Sequence, residues 1–243
     1  MAFAVGDGRH YVSVALPEVQ ADGGKLRAGG RVLPADVFVD PVSRLVVFRT
    51  EGAPGQALAL AAKGGLGVGT KLRLLSGAGV QATGWIKQIN GKMLPLSLLK
   101  VDYTNSPPAT GSPLLDADGA VAAVAFQSSG QKTGYAIPAE VVKRVVEDVQ
   151  GSGKVSRGWI GVKLLPQSAT PKVTTVQAGS PSARAGIQAG DVLLTVGARP
   201  LADYADAVNA FYFLKPGVPS SMKVKRGEKE ISVSVTPEEK SAE

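Results

Sequence analysis

The chain has 243 residues, a net charge of +7, 44% hydrophobic residues and 19% charged residues, which lies in the range of globular proteins. It has no cysteine and one histidine, which excludes disulfides, thiolate metal sites and cysteine nucleophiles and leaves His10 as the only base for a Ser-His-Asp site. The longest apolar run, 120–126, is too short to span a membrane, so we expect no transmembrane segment. The sequence does not start with a basic-then-apolar leader, so we expect no signal peptide in it. No metal site and no cofactor are expected.

The positive charge does not predict nucleic-acid binding. Aromatic residues make up 5% of the chain, and the basic residues form no arm or stripe. A pI near 9.6 therefore favours general attraction to anionic surfaces over recognition of DNA or RNA.

Residues 1–136 have the pattern of short strands joined by glycine- or proline-containing turns. Gly6–Arg9 is predicted to be a hairpin turn between Phe3–Val5 and the alternating segment Tyr11–Val14. Further apolar stretches recur at 37–39, 45–48, 72–75, 85–86 and 121–126. This spacing is typical of an all-β barrel or sandwich.

The periodicity changes at Pro138, which suits the first turn of a helix whose valines lie on one face. Gly151 is predicted to end this helix and the first domain, 1–152, with a linker at 153–157. The second domain, 158–237, is predicted to contain strands near 160–165, 173–176, 191–196 and 231–235. Asp203 is predicted to cap a helix over 204–214, and 238–243 to form a frayed tail.

Three motifs suggest chemistry but have simpler interpretations. Gly64–Lys71 has its threonine before its lysine and a strand pattern after it, so a flexible approach to a strand is favoured over a phosphate-binding loop. His10, beside a polar turn, is expected to be solvated. Asp116 and Asp118 are expected to form a hairpin turn and not a cation site.

Several segments together resemble bacterial HtrA/Deg proteins. Val5–Gly8 resembles their first hairpin, Asp40–Pro41 the start of the catalytic-aspartate segment, and Asp102–Leu115 the nucleophile segment. Gly151–Val162 resembles the junction before their C-terminal PDZ domain. The resemblance implies a mainly β chain with a trypsin-like double β-barrel (chymotrypsin fold) followed by an α+β PDZ domain.

The positions that carry catalysis in this family hold other residues here. The alignment places Leu16 at the histidine, Arg44 at the aspartate and Thr110 at the nucleophile. Leucine cannot accept a proton, and arginine cannot stabilise an imidazolium. Pro108 falls where the family has an oxyanion-hole N–H, which proline lacks. The resemblance therefore implies a pseudoprotease.

The second domain resembles the family's PDZ domain most closely over Gly179–Asp191. Trp159, Ile160, Gly161 and Val162 would form the carboxylate-binding loop, with a peptide added as a strand beside Val162–Leu164. On the opposite helix, spacing predicts a groove-facing stripe of Asp206, Ala210 and Phe213. Ile160, Val162, Leu164 and Phe213 would then line an apolar pocket, with core packing as the alternative for Leu164 and Phe213.

The expected function is that of an inactive, HtrA-like scaffold whose PDZ domain binds C-terminal or unfolded peptide segments. A hydrolase of atypical mechanism using Thr110 is the alternative, and a structural subunit with a closed groove is a third. The resemblance implies an extracytoplasmic location in the bacterial periplasm or cell envelope. It leaves open homo-oligomerisation and association with other proteins.

Overall fold

The computed structural model describes residues 1–15, 25–28, 31–52, 55–62 and 66–239. The chain forms two compact units, one of residues Met1–Ile86 with Leu98–Val155 and the other of Lys87–Ser97 with Ser156–Glu243. Strands dominate both units, which confirms the mainly β fold class. Sequence analysis did not assign residues 87–97 to the second unit.

The first unit begins with a five-stranded sheet. The strands in this part of the chain are β1 (Phe3–Val5), β2 (His10–Val14), β3 (Lys25–Ala28), β4 (Arg31–Pro34), β5 (Asp36–Val39), β6 (Leu45–Arg49) and β7 (Ala57–Leu58). The sheet order is β5-β6-β2-β1-β7, and β3 and β4 pair separately. Val5, Val12 and Leu45 are fully buried, so the predicted hairpin of β1 and β2 is held by burial of its apolar face.

A closed barrel follows, and all of it except residues 87–97 belongs to the same unit. It contains β8 (Lys71–Arg73), β9 (Gly79–Ile89), β10 (Lys92–Tyr103), β11 (Pro113–Leu115), β12 (Val121–Ser128) and β13 (Thr133–Pro138), in the order β10-β13-β12-β11-β8-β9. Leu99, Val101 and Leu114 are fully buried in its core. Asn90 and Gly91, with φ of 50° and 73°, form the turn between the long strands β9 and β10, as expected of an Asn-Gly hairpin.

Helix α1 (Ala139–Ser152) follows the barrel directly. Its valines are buried as the helical spacing predicts, and Arg144 and Asp148 form a buried ion pair one turn apart. Gly153, with φ of 65°, ends the helix in a left-handed cap by donating its N–H to Val149. No helix among the described residues is long and apolar enough to cross a bilayer.

The second unit combines short strands with two helices. Its elements are β14 (Gly158–Trp159), β15 (Val162–Leu164), β16 (Val173–Val176), α2 (Pro181–Arg184), β17 (Val192–Val196), β18 (Arg199–Pro200), α3 (Tyr204–Tyr212), β19 (Ser220–Arg226), β20 (Lys229–Val235) and β21 (Glu238–Glu239). The main sheet has the order β18-β17-β19-β20, while β15 pairs with β16 and β14 with β21. Leu193, Val224 and Val235 are fully buried in the core of this unit.

The end of this unit differs from the sequence prediction. Glu238 and Glu239 were expected in a frayed tail, but they form β21, antiparallel to Gly158 and Trp159. The backbone of β14 supplies the hydrogen-bond partners that order these two charged residues. The predicted tail residues 240–243 lie outside the described part of the chain.

Candidate functional site

The segment at the predicted nucleophile lies between β10 and β11. Thr110 is partly buried, and its hydroxyl donates to the carbonyl oxygen of Phe126 at 3.1 Å. Gly111, with φ of 85°, donates its N–H to the carbonyl of Ala125 at 2.8 Å. The Thr110 hydroxyl is thus engaged with a backbone carbonyl, which cannot take its proton as a general base would.

The predicted aspartate position lies in the turn between β5 and β6. Arg44 has φ of 64°, and its guanidinium donates to the carbonyl oxygen of Ala15 at 3.3 Å. The nearby Asp40 carboxylate is 1% exposed and accepts hydrogen bonds from the N–H groups of Val42 and Ser43. Asp40 therefore closes the turn, while a cation occupies position 44. Leu16, predicted at the histidine position, lies outside the described residues.

Pro108 stands two residues before Thr110 and has no N–H to donate. An oxyanion hole that uses this position would therefore have one donor fewer. Loss of one such donor costs about 3 kcal/mol of transition-state stabilisation.

The prediction for His10 was wrong. The residue is not solvated but 6% exposed, because β2 lies between β1 and β6 in the sheet. Its Nδ1 is 2.9 Å from Oδ1 of Asp7, and its Nε2 is buried without a hydrogen-bond partner in the described structure. This contact and the N–H of Arg9 lower the pKa of Asp7: the Arg9 N–H contributes most, and the His10 bond follows.

The predicted carboxylate-binding loop turns sharply at Gly161, which has φ of 76°. A Cβ at this position would lie 2.2 Å from Cβ of Ser180. Ser180 is 1% exposed and fixed as the N-cap of α2, where it accepts the N–H of Ala183. Only glycine therefore fits, as the sequence predicted for a loop in which backbone N–H groups approach a ligand.

The backbone at this loop has unused donors. Among the described residues, no hydrogen bond uses the N–H of Ile160 or Gly161. Their carbonyls accept from Ser182 and Gln177, at 3.0 and 2.8 Å. The carbonyls of Ile160 and Gly161 are thus hydrogen-bonded, while their N–H groups remain available as donors. A carboxylate ligand, which only accepts hydrogen bonds, needs such donors.

Strand β15 has one open edge, since it pairs only with β16 among the described strands. The carbonyl of Gly161 accepts the N–H of Gln177 on β16. The next residue of β15 whose backbone groups face β16 is Lys163, which pairs with Thr175. Hydrogen bonding alternates along an antiparallel pair. The register shifts between Lys163 and Leu164, but Leu165 again donates its N–H to Lys172 on this side, at 2.8 Å. The N–H and C=O groups of Val162 and Leu164 therefore point to the open edge.

The predicted loop and strand residues differ in burial. Ile160 and Leu164 are buried in the core, at 4% and 9% exposure, while Trp159 and Val162 are partly exposed. Ile160 and Leu164 therefore contribute backbone groups to this edge, and their side chains pack in the core of the domain.

The predicted stripe on the helix requires correction. Ala210 is 2% exposed and belongs to the core. Asp206 forms an ion pair with Lys87, and Phe213 lies at the C-cap of α3 with the Arg199 guanidinium 3.7 Å from its ring centroid. Ala210 therefore packs in the core and not in the predicted groove-facing stripe, whereas the groove-facing placement of Asp206 and Phe213 stays a prediction.

A different stripe on α3 fits an apolar groove. Tyr204, Val208 and Phe211 are partly buried and share the same i, i+4, i+7 spacing. Tyr204 and Phe211 pack against the same core as Val162 of β15. These residues were not predicted from the sequence. Their i, i+4, i+7 spacing is visible there, but periodicity alone does not say which of two stripes on a helix is buried.

Asp203 caps α3 as predicted, by accepting the N–H of Asp206 at 2.9 Å. Lys87, in the turn region of the β9–β10 hairpin, forms ion pairs with Asp203 at 2.9 Å and Asp206 at 2.6 Å. Burial opposes ionisation of Asp203, but the Asp206 N–H and Lys87 outweigh it and lower the pKa of this carboxyl. Asp203 and Asp206 thus share one ammonium group, which leaves a net charge of −1 on the three side chains.

Comparison with protein families assigns the second domain. Residues 158–236 match the model of the PDZ domain. This match spans the loop at Gly161, strand β15 and helix α3.

Curated relatives resemble most of the chain. A probable periplasmic serine endoprotease DegP-like of Pseudomonas fulva is 29% identical over 214 residues, which cover 78% of this chain and 45% of the relative. The protein of the same name from Ectopseudomonas mendocina is 28% identical over 231 residues, covering 84% and 49%. The chain thus spans about half the length of these relatives.

Solved structures support the fold. The HtrA-type protease AlgW with tripeptide has a TM-score of 0.68 and 21% identity, covering all of this chain and 89% of the other. The serine endoprotease from Yersinia pestis has a TM-score of 0.61 and 20% identity, covering 99% and 88%. The predicted fold class and the predicted resemblance are confirmed.

Proposed function

We propose that this chain, a relative of the HtrA/Deg proteins, captures free peptide C-termini in its PDZ domain and does not hydrolyse peptide bonds. The trypsin-like domain would serve as a scaffold for that domain. The observation that carries the binding proposal is the loop at Gly161, which offers unpaired N–H groups at the beginning of an open strand edge.

The open edge suits a peptide in extended conformation. Val162 and Leu164 offer N–H and C=O groups for a ladder with an added strand. The Ile160 and Gly161 N–H groups at the beginning of β15 would receive the terminal carboxylate. Solved relatives support this proposal, since AlgW structures contain a tripeptide or a decapeptide.

The absence of proteolysis is inferred from three positions. Thr110 is hydrogen-bonded to the Phe126 carbonyl, Arg44 places a cation where the family has a carboxylate, and Pro108 lacks an oxyanion donor. A hydroxyl needs a positioned base, and that base needs an orienting group. His10 does not supply the base, because it is buried beside Asp7 within the sheet.

The competing function is peptide hydrolysis, which the names of the serine endoprotease relatives favour, with Thr110 as the nucleophile. Degradation of casein by the chain, abolished in Thr110→Ala, would establish it. We expect equal, background-level degradation for both proteins.

The binding proposal is tested by fluorescence anisotropy with labelled peptides carrying either a free or an amidated C-terminus. We expect the free forms to bind and amidation to remove binding, because the loop N–H groups then lose their anionic partner. Equal binding of both forms would contradict carboxylate recognition. The names of the relatives also lead us to propose a periplasmic location, which fractionation of the producing cells would test.

A further inference from the structure

The side chain of Lys163 stands at the centre of the proposed peptide edge. Lys163 is exposed, whereas its neighbour Val162 is partly buried and its neighbour Leu164 is buried. This alternation places Lys163 on the outer face of β15 and the other two on the core face.

Lys163 has no anionic partner in the part of the chain that the structure describes. No carboxylate among the described residues forms an ion pair with its ammonium group. Its cross-strand neighbour on β16 is the exposed Thr175, a neutral hydrogen-bonding residue. The outer face of this strand pair thus presents an uncompensated positive charge beside a hydroxyl.

The register of a bound peptide follows from the hydrogen-bonding pattern. The free N–H groups at Ile160 and Gly161 lie at the beginning of β15, so a carboxylate held there makes the peptide run antiparallel to β15. Val162 and Leu164 direct their backbone groups to the open edge. The last residue of the peptide then pairs with Val162 and the third-last with Leu164, which leaves the penultimate residue opposite Lys163.

Directly opposed residues in an antiparallel pair project their side chains to the same face. In a pair without mutual backbone hydrogen bonds, their Cα atoms are about 4.5 Å apart. The penultimate side chain therefore meets the Lys163 ammonium group on the outer face. The terminal side chain, opposite Val162, faces the apolar side.

We propose that Lys163 is a specificity-determining residue that selects peptides with Asp or Glu at the penultimate position. This inference rests on the proposed function of the loop, because it takes its register from a carboxylate held at Gly161. An acidic side chain there would gain the attraction of the Lys163 charge, whereas a basic one would meet a like charge at close range.

The test measures Kd by fluorescence anisotropy for fluorescein-labelled decapeptides that differ only at the penultimate position: Glu, Gln or Lys. Two series are used, one ending in valine and one in phenylalanine, each with free and amidated termini. We expect Glu to bind about threefold to fivefold more tightly than Gln, the range of an exposed ion pair. Lys should bind more weakly than Gln by a similar factor, and 0.5 M salt should reduce both differences.

Two variants of the full chain complete the test. Lys163→Glu should reverse the order of affinity, so that the peptide with a penultimate Lys binds more tightly than the peptide with a penultimate Glu. Lys229→Glu, which makes the same charge change on β20 in another sheet, should leave the order unchanged.

The outcomes separate the two proposals. If free peptides bind and amidated peptides do not, but the penultimate residue has no effect or Lys163→Glu leaves the order unchanged, the inference about Lys163 is overturned and carboxylate capture stands. If no free peptide of either series binds, both proposals fail.

Discussion

The hydroxyl of Thr110 donates its hydrogen bond to the carbonyl oxygen of Phe126, 3.1 Å away. A carbonyl in this position fixes the rotamer of the threonine without making its oxygen more nucleophilic. The hydroxyl at the predicted nucleophile position therefore links the 107–112 segment to strand β12.

Because the hydroxyl is engaged in this way, we expect that a serine at position 110 would not act as a nucleophile. Thr110→Ser should remain unreactive toward a fluorophosphonate probe, because the hydroxyl donates to the Phe126 carbonyl and no base among the described residues is in contact with it. The measurement is covalent labelling followed by mass spectrometry, with Thr110→Ala as the matched control. Labelling of the serine variant above the alanine variant would contradict the proposed absence of catalysis.

Gly161→Ala is expected to destabilise the second domain by about 2 kcal/mol, because it combines a strained positive φ with a clash against Ser180. The measurement is urea unfolding followed by Trp159 fluorescence in a Trp85→Phe background, since Trp85 and Trp159 are the only two tryptophans.

Gly179→Ala is the matched control for that prediction. Gly179 has a similar φ of 72°, but a Cβ there would meet nothing within 4 Å. Gly179→Ala should lower the free energy of unfolding by about 1 kcal/mol, from backbone strain alone. Equal losses for the two variants would show that close approach to Ser180 does not matter.

The cap of α3 gives a further prediction. Asp203→Ala should destabilise the second domain by about 1 kcal/mol, since the Asp206 N–H loses its acceptor. Asp203→Asn keeps a capping oxygen and removes the charge facing Lys87, so it separates the cap from the ion pair. The same fluorescence assay applies, and an asparagine variant as unstable as the alanine variant would assign the loss to the ion pair.

The sequence allowed most of the local structure to be predicted, but not the contacts between distant segments. The cap at Asp203 and the glycine at position 161 follow from short-range backbone chemistry and are present as predicted. The placement of Ala210 on α3 was predicted incorrectly, because its burial depends on the sheet beneath it. The pairing of Lys87 with Asp203 joins residues more than a hundred positions apart, which periodicity cannot detect.

Truncation of a side chain in the barrel core should lower the free energy of unfolding strongly. Leu99 is fully buried in the barrel core, so Leu99→Ala should cost about 2–5 kcal/mol through lost burial and cavity formation. Leu75, which is 51% exposed, provides the control, and Leu75→Ala should cost much less. Urea unfolding is followed by Trp85 fluorescence in a Trp159→Phe background, and similar losses for both variants would contradict the assignment of this core.

The pH dependence of the second domain should depend in part on Asp191. This carboxylate is fully buried and accepts hydrogen bonds from Arg226 at 2.8 and 2.9 Å. The Arg226 hydrogen bond lowers the pKa of Asp191, an effect that burial opposes and the Gln188 N–H reinforces.

Because the folded pKa lies below the unfolded value, the stabilisation is complete above about pH 4 and is lost as the pH falls through the folded pKa. The urea midpoint of the second domain should therefore fall more steeply between pH 5 and pH 3 in the parent chain than in Asp191→Asn. Parallel profiles would show that another group controls the acid response.

The pairing of β14 with β21 links the last described strand to the ligand loop, since Trp159 directly precedes Ile160. A ladder of two residues in each strand is marginal and opens more readily than the main sheet. Opening of β21 would release the backbone of Trp159, which precedes the proposed carboxylate-binding loop. With the proposed capture of C-termini at that loop, the lifetime of a bound peptide would be coupled to fraying of residues 238–239.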